Sequence, residues 1–385
     1  MLNRSPREII RARITILICL AILCCILVAG LWPFHPPTNG VSWLKDTDGV
    51  QFRRHGTVLS AGTFKSAGPS DEGPCSLELW LQPAFSGASG TLAAFYTPGT
   101  RFRFRLGQSV ADLVLEASTL SQQHPASIAR IYINDVFRKD IPLFVTITSG
   151  ARMAIYINSV LIRTSSQFRI TRSNLTGQLV TGTAPVSDDD WSGQLRGLAI
   201  YDRELTTAEV VQHYRAWTAD DRPAAMNFRH TIALYRFAER TGNVVHNEIR
   251  PGIDLYIPPR YMILHQLFLE RPWDEFRPTS SYLQDVLVNI AGFIPLGFFF
   301  YACVSLEQSI GRPSLVTIGF GAAVSLTIEI LQSFLPTRNS GTTDLFTNTL
   351  GTALGVLLFR SRFVHALYST VLDRITEGLI SMKNR

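Results

Sequence analysis

The chain has 385 residues, of which 46% are hydrophobic and 17% charged, and its formal net charge is +6. The length exceeds one typical domain, and so apolar a composition argues against a purely soluble protein. Much of the positive charge lies on arginines beside apolar runs, where they set membrane topology and contact anionic lipid, so no nucleic acid is expected as a partner. Cys19, Cys24, Cys25 and Cys303 lie in apolar runs and Cys75 stands alone between them, which leaves no disulfide framework.

Arg4, Arg7, Arg11 and Arg13 form a basic leader over residues 1–13, expected to be cytoplasmic. The run from Ile14 to Trp32 (14–32) is unbroken and apolar. As a helix it crosses a hydrocarbon core of roughly 30 Å. Trp32, Pro33 and Phe34 follow it instead of a small-residue cleavage site, so it is read as an uncleaved anchor.

From Gly40 to Pro258 (40–258) the texture changes to short alternating stretches broken by Gly, Pro, Ser and Asn, the pattern of an all-β domain. Ser76–Pro83 sets Leu77, Leu79 and Leu81 against Ser76, Glu78 and Trp80, which predicts one buried face. Phe102–Gly107, Ala111–Ser118, Leu143–Thr148, Met153–Arg163 and Gly197–Asp202 repeat the alternation. Such strands suffice for a two-sheet antiparallel sandwich. Thr206 or Thr207 is placed to cap a helix of one or two turns with Val210, Val211 and Tyr214 on its packing face.

The run Asp188, Asp189, Asp190, Trp191 offers three carboxylates beside an aromatic, which suits calcium or a sugar; the plainer reading, favoured here, is a solvated loop with Trp191 packed inside the sandwich. No strand carries the paired carboxylates of a glycosidase, and the eight histidines are too scattered to nominate a triad. Enzymatic activity is left open.

Arg260–Trp273, within a linker over 259–281, is too short to span and is expected to lie at the membrane interface with Tyr261 and Trp273 at headgroup level. Tyr282–Val304, Ser314–Phe334 and Thr343–Phe359 are three further apolar runs, spread over 282–360. With the anchor they give a multi-pass protein of the inner (plasma) membrane, with both termini and an amphipathic tail over 361–385 cytoplasmic and the β domain extracytoplasmic. The expected fold class is thus multi-domain, an α-helical membrane bundle of about four spans plus an all-β antiparallel sandwich.

That topology puts six polar residues on one side. Asp285 and Asn289 start the second span, Glu329 and Gln332 end the third, and Asp344 and Asn348 start the fourth. Spacings of i, i+4 and i, i+3 put each pair on one helix face, so three faces can converge on a pocket with Arg338 of the connecting loop as counter-charge. Ionisable groups at membrane depth cost several kcal/mol unless paired, which makes the cluster a functional candidate. Gly351 and Gly355 read instead as a small-residue packing face.

Two resemblances follow from these residues. Ser76–Pro83, Ala151–Ile162 and above all Ser192–Tyr214 resemble the laminin-G-like, concanavalin-A-like jelly roll, which implies binding of a cell-wall or surface glycan. Thr231–Asn247 resembles the opening strand of such domains yet comes after the closing helix, as in a permuted order or an added strand. Asp285–Gly297, Ile328–Gly355 and Leu31–Pro37 resemble the VanZ-like family, with Asp285, Asn289, Pro295, Glu329, Gln332, Arg338, Asp344 and Asn348 matching its pattern. The jelly roll then reads as an insertion between the first two family helices. The second resemblance implies an effect on teicoplanin susceptibility. The expected function is an envelope protein with an outward polar pocket for a lipid headgroup or lipid-linked precursor and a glycan-binding ectodomain. Two alternatives stand beside it: Asp285, Glu329 and Asp344 holding Mg or Ca for chemistry on a lipid-linked substrate, or a structural anchor that displays a lectin-like domain.

Overall fold

The computed structural model describes residues 5–66, 71–100, 102–119, 127–187, 189–218, 230–249, 251–276, 280–306, 310–338 and 340–383. In chain order its elements begin with α1 (Pro6–Leu31), β1 (Val41–Trp43), β2 (Val50–Phe52), β3 (Val58–Phe64), β4 (Cys75–Pro83), β5 (Ser89–Tyr96), β6 (Phe104–Ser109), β7 (Asp112–Thr119) and β8 (Ser127–Ile133). Then come β9 (Leu143–Ser149), β10 (Met153–Ile157), β11 (Val160–Ser165), β12 (Gly177–Thr181), β13 (Gly193–Tyr201), α2 (Thr207–Thr218), β14 (Thr231–Tyr235), β15 (Val244–Val245) and β16 (Leu255–Tyr256). The chain closes with α3 (Pro272–Glu275), α4 (Ser280–Ser305), α5 (Pro313–Gln332), α6 (Thr342–Arg360) and α7 (Arg362–Lys383). These elements form two compact units, Pro36–Gln266 and Met1–His35 with Leu267–Arg385.

The first unit is an antiparallel sandwich. One sheet has the order β1-β2-β13-β4-β9-β10-β11 with β14 beside β13, and the other β15-β16-β3-β12-β5-β6-β7-β8. Leu77, Leu79 and Leu81 of β4 join Phe52, Phe95, Phe104 and Ile147 in the core between them, as the alternation requires. The opposite face of β4 is buried too, because α2 covers it: Val210 and Trp217 pack with Phe144, Tyr156, Ala199 and Tyr201. Thr206 closes a capping box with Glu209, each side chain serving the other's backbone N–H. The helix is 12 residues long, more than the one or two turns expected, and its buried residues are Val210, His213 and Trp217.

Met153–Arg163 folds as two strands where a single one was expected. Asn158 and Ser159 take φ of 50° and 64°, and the paired left-handed conformation makes the tight turn joining β10 to β11. The late strand β14 pairs antiparallel with the closing strand β13, Leu198 facing Tyr235, so it is an addition to the sheet. Arg260–Trp273 differs from the interfacial segment expected of it. Tyr261 is buried, its amide donating to the Pro37 carbonyl and its hydroxyl bonded to Thr183 at 2.9 Å, because the aromatic ring gains more inside the sandwich than at a headgroup. Trp273, 71% exposed, lies on the four-residue α3.

The second unit is helical. A capping box between Ser5 and Glu8 starts α1 at Pro6, so Arg7, Arg11 and Arg13 ride on the helix itself. Among the described residues, three helical segments, Pro6–Leu31, Tyr282–Ser305 and Pro313–Gln332, are long and apolar enough to cross a membrane. A fourth crossing is reached only when α6 and α7 count as one, and they are bent by 78°. Pro295 sits inside α4, which continues through it, and α5 ends at Gln332, ahead of Pro336. Parallel α4 and α6 approach so closely that a methyl on Gly351 or Gly355 would overlap the Ile290 or Ile294 carbonyl, and one on Gly297 the Thr352 carbonyl.

Candidate functional site

Because α4, α5 and α6 alternate in direction, the first turns of α4 and α6 meet the last turn of α5 at one end of the bundle. Three hydrogen bonds fix this end. Asn289 Nδ2 donates to Asp344 Oδ1 at 2.8 Å, joining α4 to α6. The Gly341 amide donates to Glu329 Oε2 at 2.8 Å, so the last turn of α5 holds the loop that starts α6. Gln332 Nε2 donates to the Gly30 carbonyl at 2.8 Å, which brings in the last turn of α1. Arg338 donates through Nε (3.1 Å) and Nη2 to the Trp32 carbonyl just beyond it.

The predicted residues therefore occupy one end but differ in character. Glu329 is 1% exposed and Asn348 5% exposed, Asn348 donating to Ser325 Oγ at 3.0 Å. Asp285 is exposed and bonds to none of the described residues, one turn before Asn289. The acceptor oxygens Gln332 Oε1 and Asn348 Oδ1 are buried without a hydrogen-bond partner among the described residues, while the amide nitrogens of both side chains are engaged. Such orphan acceptors are costly, and the end of the bundle is richer in open acceptors than in open amide donors. Among the described residues no three His, Cys, Asp or Glu side chains converge as a metal site, so Asp285, Glu329 and Asp344 are not gathered as a ligand set for Ca or Mg.

In the sandwich, Asp188 lies outside the described residues. Asp189 pairs with Arg105 and accepts from Thr91 Oγ1 at 3.0 Å, and Asp190 accepts the His55 amide at 2.7 Å. Burial pushes the Asp190 carboxyl above the usual range. Trp191 is buried and its Nε1 donates to Gln108 at 2.9 Å. Asp189 and Trp191 thus tie this stretch to the sheet, and Asp190 ties it to the turn that holds His55.

Two features escaped the sequence. A cavity of about 250 Å³ is lined by Lys65, Asp71, Cys75, Arg172, Tyr201 and Asp202, among others. Arg172 and Asp71 face each other across it at 3.3 Å, and burial pushes the Cys75 thiol up to about 12, leaving it protonated and inert at neutral pH. Under α2, Glu78 (0% exposed) meets His213 Nδ1 (1% exposed) at 3.0 Å and accepts from the Tyr201 hydroxyl at 2.7 Å. The sequence signal was Glu78 on the polar face of a strand whose other face is the core.

At the start of α2, Arg203 beside Glu209 at 2.8 Å holds that carboxyl at about 2, against an ordinary 4.5, with Thr206 adding hydrogen bonds. A depressed carboxylate stabilises the fold above its unfolded value and loses that contribution as pH falls toward its folded value. In thermal melts of the full-length protein, the parent should therefore lose more Tm than Glu209→Gln as pH drops from 4.5 to 2. Parallel curves would show that Glu209 carries no linkage.

Comparison with known proteins gives two family matches: VanZ/LLP1 over residues 214–365, and the concanavalin A-like lectin/glucanases superfamily over residues 59–211. No curated protein sequence matches the chain. Similar solved structures include the receptor binding domain of botulinum neurotoxin D (13% identity, 46% of each chain, TM-score 0.37). Another is the binding domain of botulinum neurotoxin DC in complex with rat synaptotagmin II (17% identity, 47% of this chain and 46% of that one, TM-score 0.33). A third is the binding domain of Paraclostridial Mosquitocidal Protein 1 (13% identity, 47% of each chain, TM-score 0.35). The chain thus spans less than half the length of each of these structures. One chain thus carries a region that matches the VanZ/LLP1 family and, ahead of it, a region that matches the concanavalin A-like lectin/glucanases superfamily.

Proposed function

We propose that the chain is an envelope membrane protein whose helical unit engages a lipid headgroup or lipid-linked precursor at its polar end, and whose jelly roll binds a cell-wall or surface glycan. The observation that carries the first part is the joining of four helix termini by Asn289–Asp344, Glu329–Gly341 and Gln332–Gly30, with carboxylates at depth in a unit built of membrane-length helices. Packing glue rarely needs formal charge, whereas a headgroup site does. In this reading Arg338 balances Asp285, Glu329 and Asp344, the polar end and the jelly roll face outward, and both termini face the cytoplasm. A reporter after Arg385 should read inside and one at Ser187 outside; the opposite pattern would overturn this topology.

The jelly-roll match supports the glycan reading, and the cavity with Lys65, Asp71, Arg172 and Asp202 has charged donors and acceptors suited to a sugar unit. The VanZ-like match supports a link to glycopeptide susceptibility. The functional test is teicoplanin susceptibility of cells at matched membrane levels of parent, Asp344→Asn and Arg338→Ala. Both variants should shift susceptibility, and Arg338→Lys should restore it in part, since a point charge cannot reproduce the guanidinium fork. Three variants identical to the parent would reduce the cluster to helix packing.

A further inference from the structure

Helix α7 presents an apolar stripe that no part of the described structure covers. Phe363, Leu367, Val371, Ile375 and Leu379 recur at steps of four and are 43% to 79% exposed. The helix has a second, buried face. Leu372 and Thr376 are covered, Tyr368 bonds to Thr15 of α1 at 2.7 Å, and Asp373 pairs with Arg11 of α1. Arg374 and Glu377 lie among the more polar positions of its surface. At 1.5 Å per residue, such a helix extends for about 33 Å.

What covers the stripe follows from where α7 starts. Only Ser361 separates it from α6, and the two helices are bent by 78°. A helix nearly perpendicular to one that runs with the bundle lies nearly in the plane of the membrane. The surrounding surface is equally apolar and open: Leu357 and Leu358 end α6, and Leu17 and Leu20 lie on α1 beyond the Thr15 contact. Arg360 and Arg362 bracket the bend, as cations do where a helix leaves the hydrocarbon.

We propose that α7 is an in-plane interfacial helix, at the end of the bundle opposite the polar cluster, with its Phe363-to-Leu379 stripe seated in the acyl-chain boundary of the bilayer. It pins the N-terminal turns of α1 through Arg11 and Thr15, and so couples the first helix of the chain to the last. The inference rests on the membrane reading of α1, α4 and α5, and it adds a lipid-bound surface to a segment that otherwise reads as a tail.

The test uses the full-length chain, free of its native cysteines and reconstituted in phosphatidylcholine/phosphatidylglycerol vesicles, with spin labels at single introduced cysteines. Leu367→Cys, Val371→Cys and Ile375→Cys probe the stripe, Thr370→Cys, Arg374→Cys and Glu377→Cys the rest of the exposed surface, and Leu20→Cys and Leu287→Cys the exposed faces of α1 and α4. Relaxation of stripe labels should be at least several-fold more sensitive to oxygen than to a water-soluble nickel chelate, with the reverse at Thr370 and Glu377. Equal nickel access throughout α7, while Leu20 and Leu287 remain oxygen-accessible, would overturn the proposal and leave the membrane reading standing. Nickel access at Leu20 and Leu287 as well would overturn both. Stripe labels shielded from both reagents would mean a protein partner, a second copy included, and would equally overturn it. The probed stripe positions have open surroundings, so a label there displaces no packed neighbour.

Discussion

Replacing Gly351 or Gly355 by leucine is expected to abolish assembly of the helical unit. At both positions a Cβ would strike a backbone carbonyl of α4, Ile290 or Ile294, and no rotamer change relieves a clash with backbone. The cost should reach or exceed the roughly 1–3 kcal/mol typical of overpacking, because α6 must move away from α4 along its length. Separation of α4 from α6 would also break the Asn289–Asp344 bond. Gly292→Ala in α4 and Gly319→Ala in α5 make the control, since a methyl at either place meets nothing within 4 Å. Membrane yield and melting of the full-length protein should collapse for Gly351→Leu and Gly355→Leu, and stay at or above the parent for the two alanine variants. Equal behaviour of all four would mean that α4 and α6 are not packed at these glycines.

The second large effect is expected beneath α2. His213→Leu leaves the Glu78 carboxylate without its histidine partner in a site with no solvent access. Breaking a buried pair by removing one member typically costs about 3–5 kcal/mol, whereas replacing both members by apolar groups is often nearly neutral. For a unit of this size that corresponds to roughly 6–20 °C in Tm. In the cycle of His213→Leu, Glu78→Leu and the double variant, the double should therefore be destabilised by clearly less than the sum of the two singles, which is the coupling between the residues. Calorimetry of the full-length protein reads it directly. If the double variant is the sum of the singles, the contact between Glu78 and His213 carries no coupling.

Much of this architecture was legible because alternation and length are local signals. Leu77, Leu79 and Leu81 pointed inward as read, and the three later apolar runs became α4, α5 and α6 to within two residues, whereas α1 starts at Pro6, well before the run read from Ile14. The misses are places where a distant element decides. Glu78 sits on the polar face of its strand and would face water but for α2, whose His213 lies 135 residues away. Tyr261 was read as interfacial from its neighbours, yet its partner Thr183 lies 78 residues back and takes it into the sandwich. The Asn158–Ser159 turn has two left-handed residues without glycine, so the strand seemed to run on. At the polar end, the alternating direction of successive helices was enough to place the residues together. Which carboxylate is buried was not, because the burial of Glu329 depends on the Gly341 loop folding over it while Asp285 keeps an open face.

The charge at that end can be separated from its packing. Asp344→Asn still offers Oδ1 to Asn289, and Glu329→Gln still offers an oxygen to the Gly341 amide, so both variants keep these two hydrogen bonds while losing the carboxylate charge. The most direct measurement is native mass spectrometry of the full-length protein extracted with its endogenous lipid. The parent should retain a defined lipid or lipid-linked species, and Asp344→Asn and Glu329→Gln should lose most of it while melting like the parent. Equal retention of the same species by all three proteins would contradict a headgroup site at this end of the bundle.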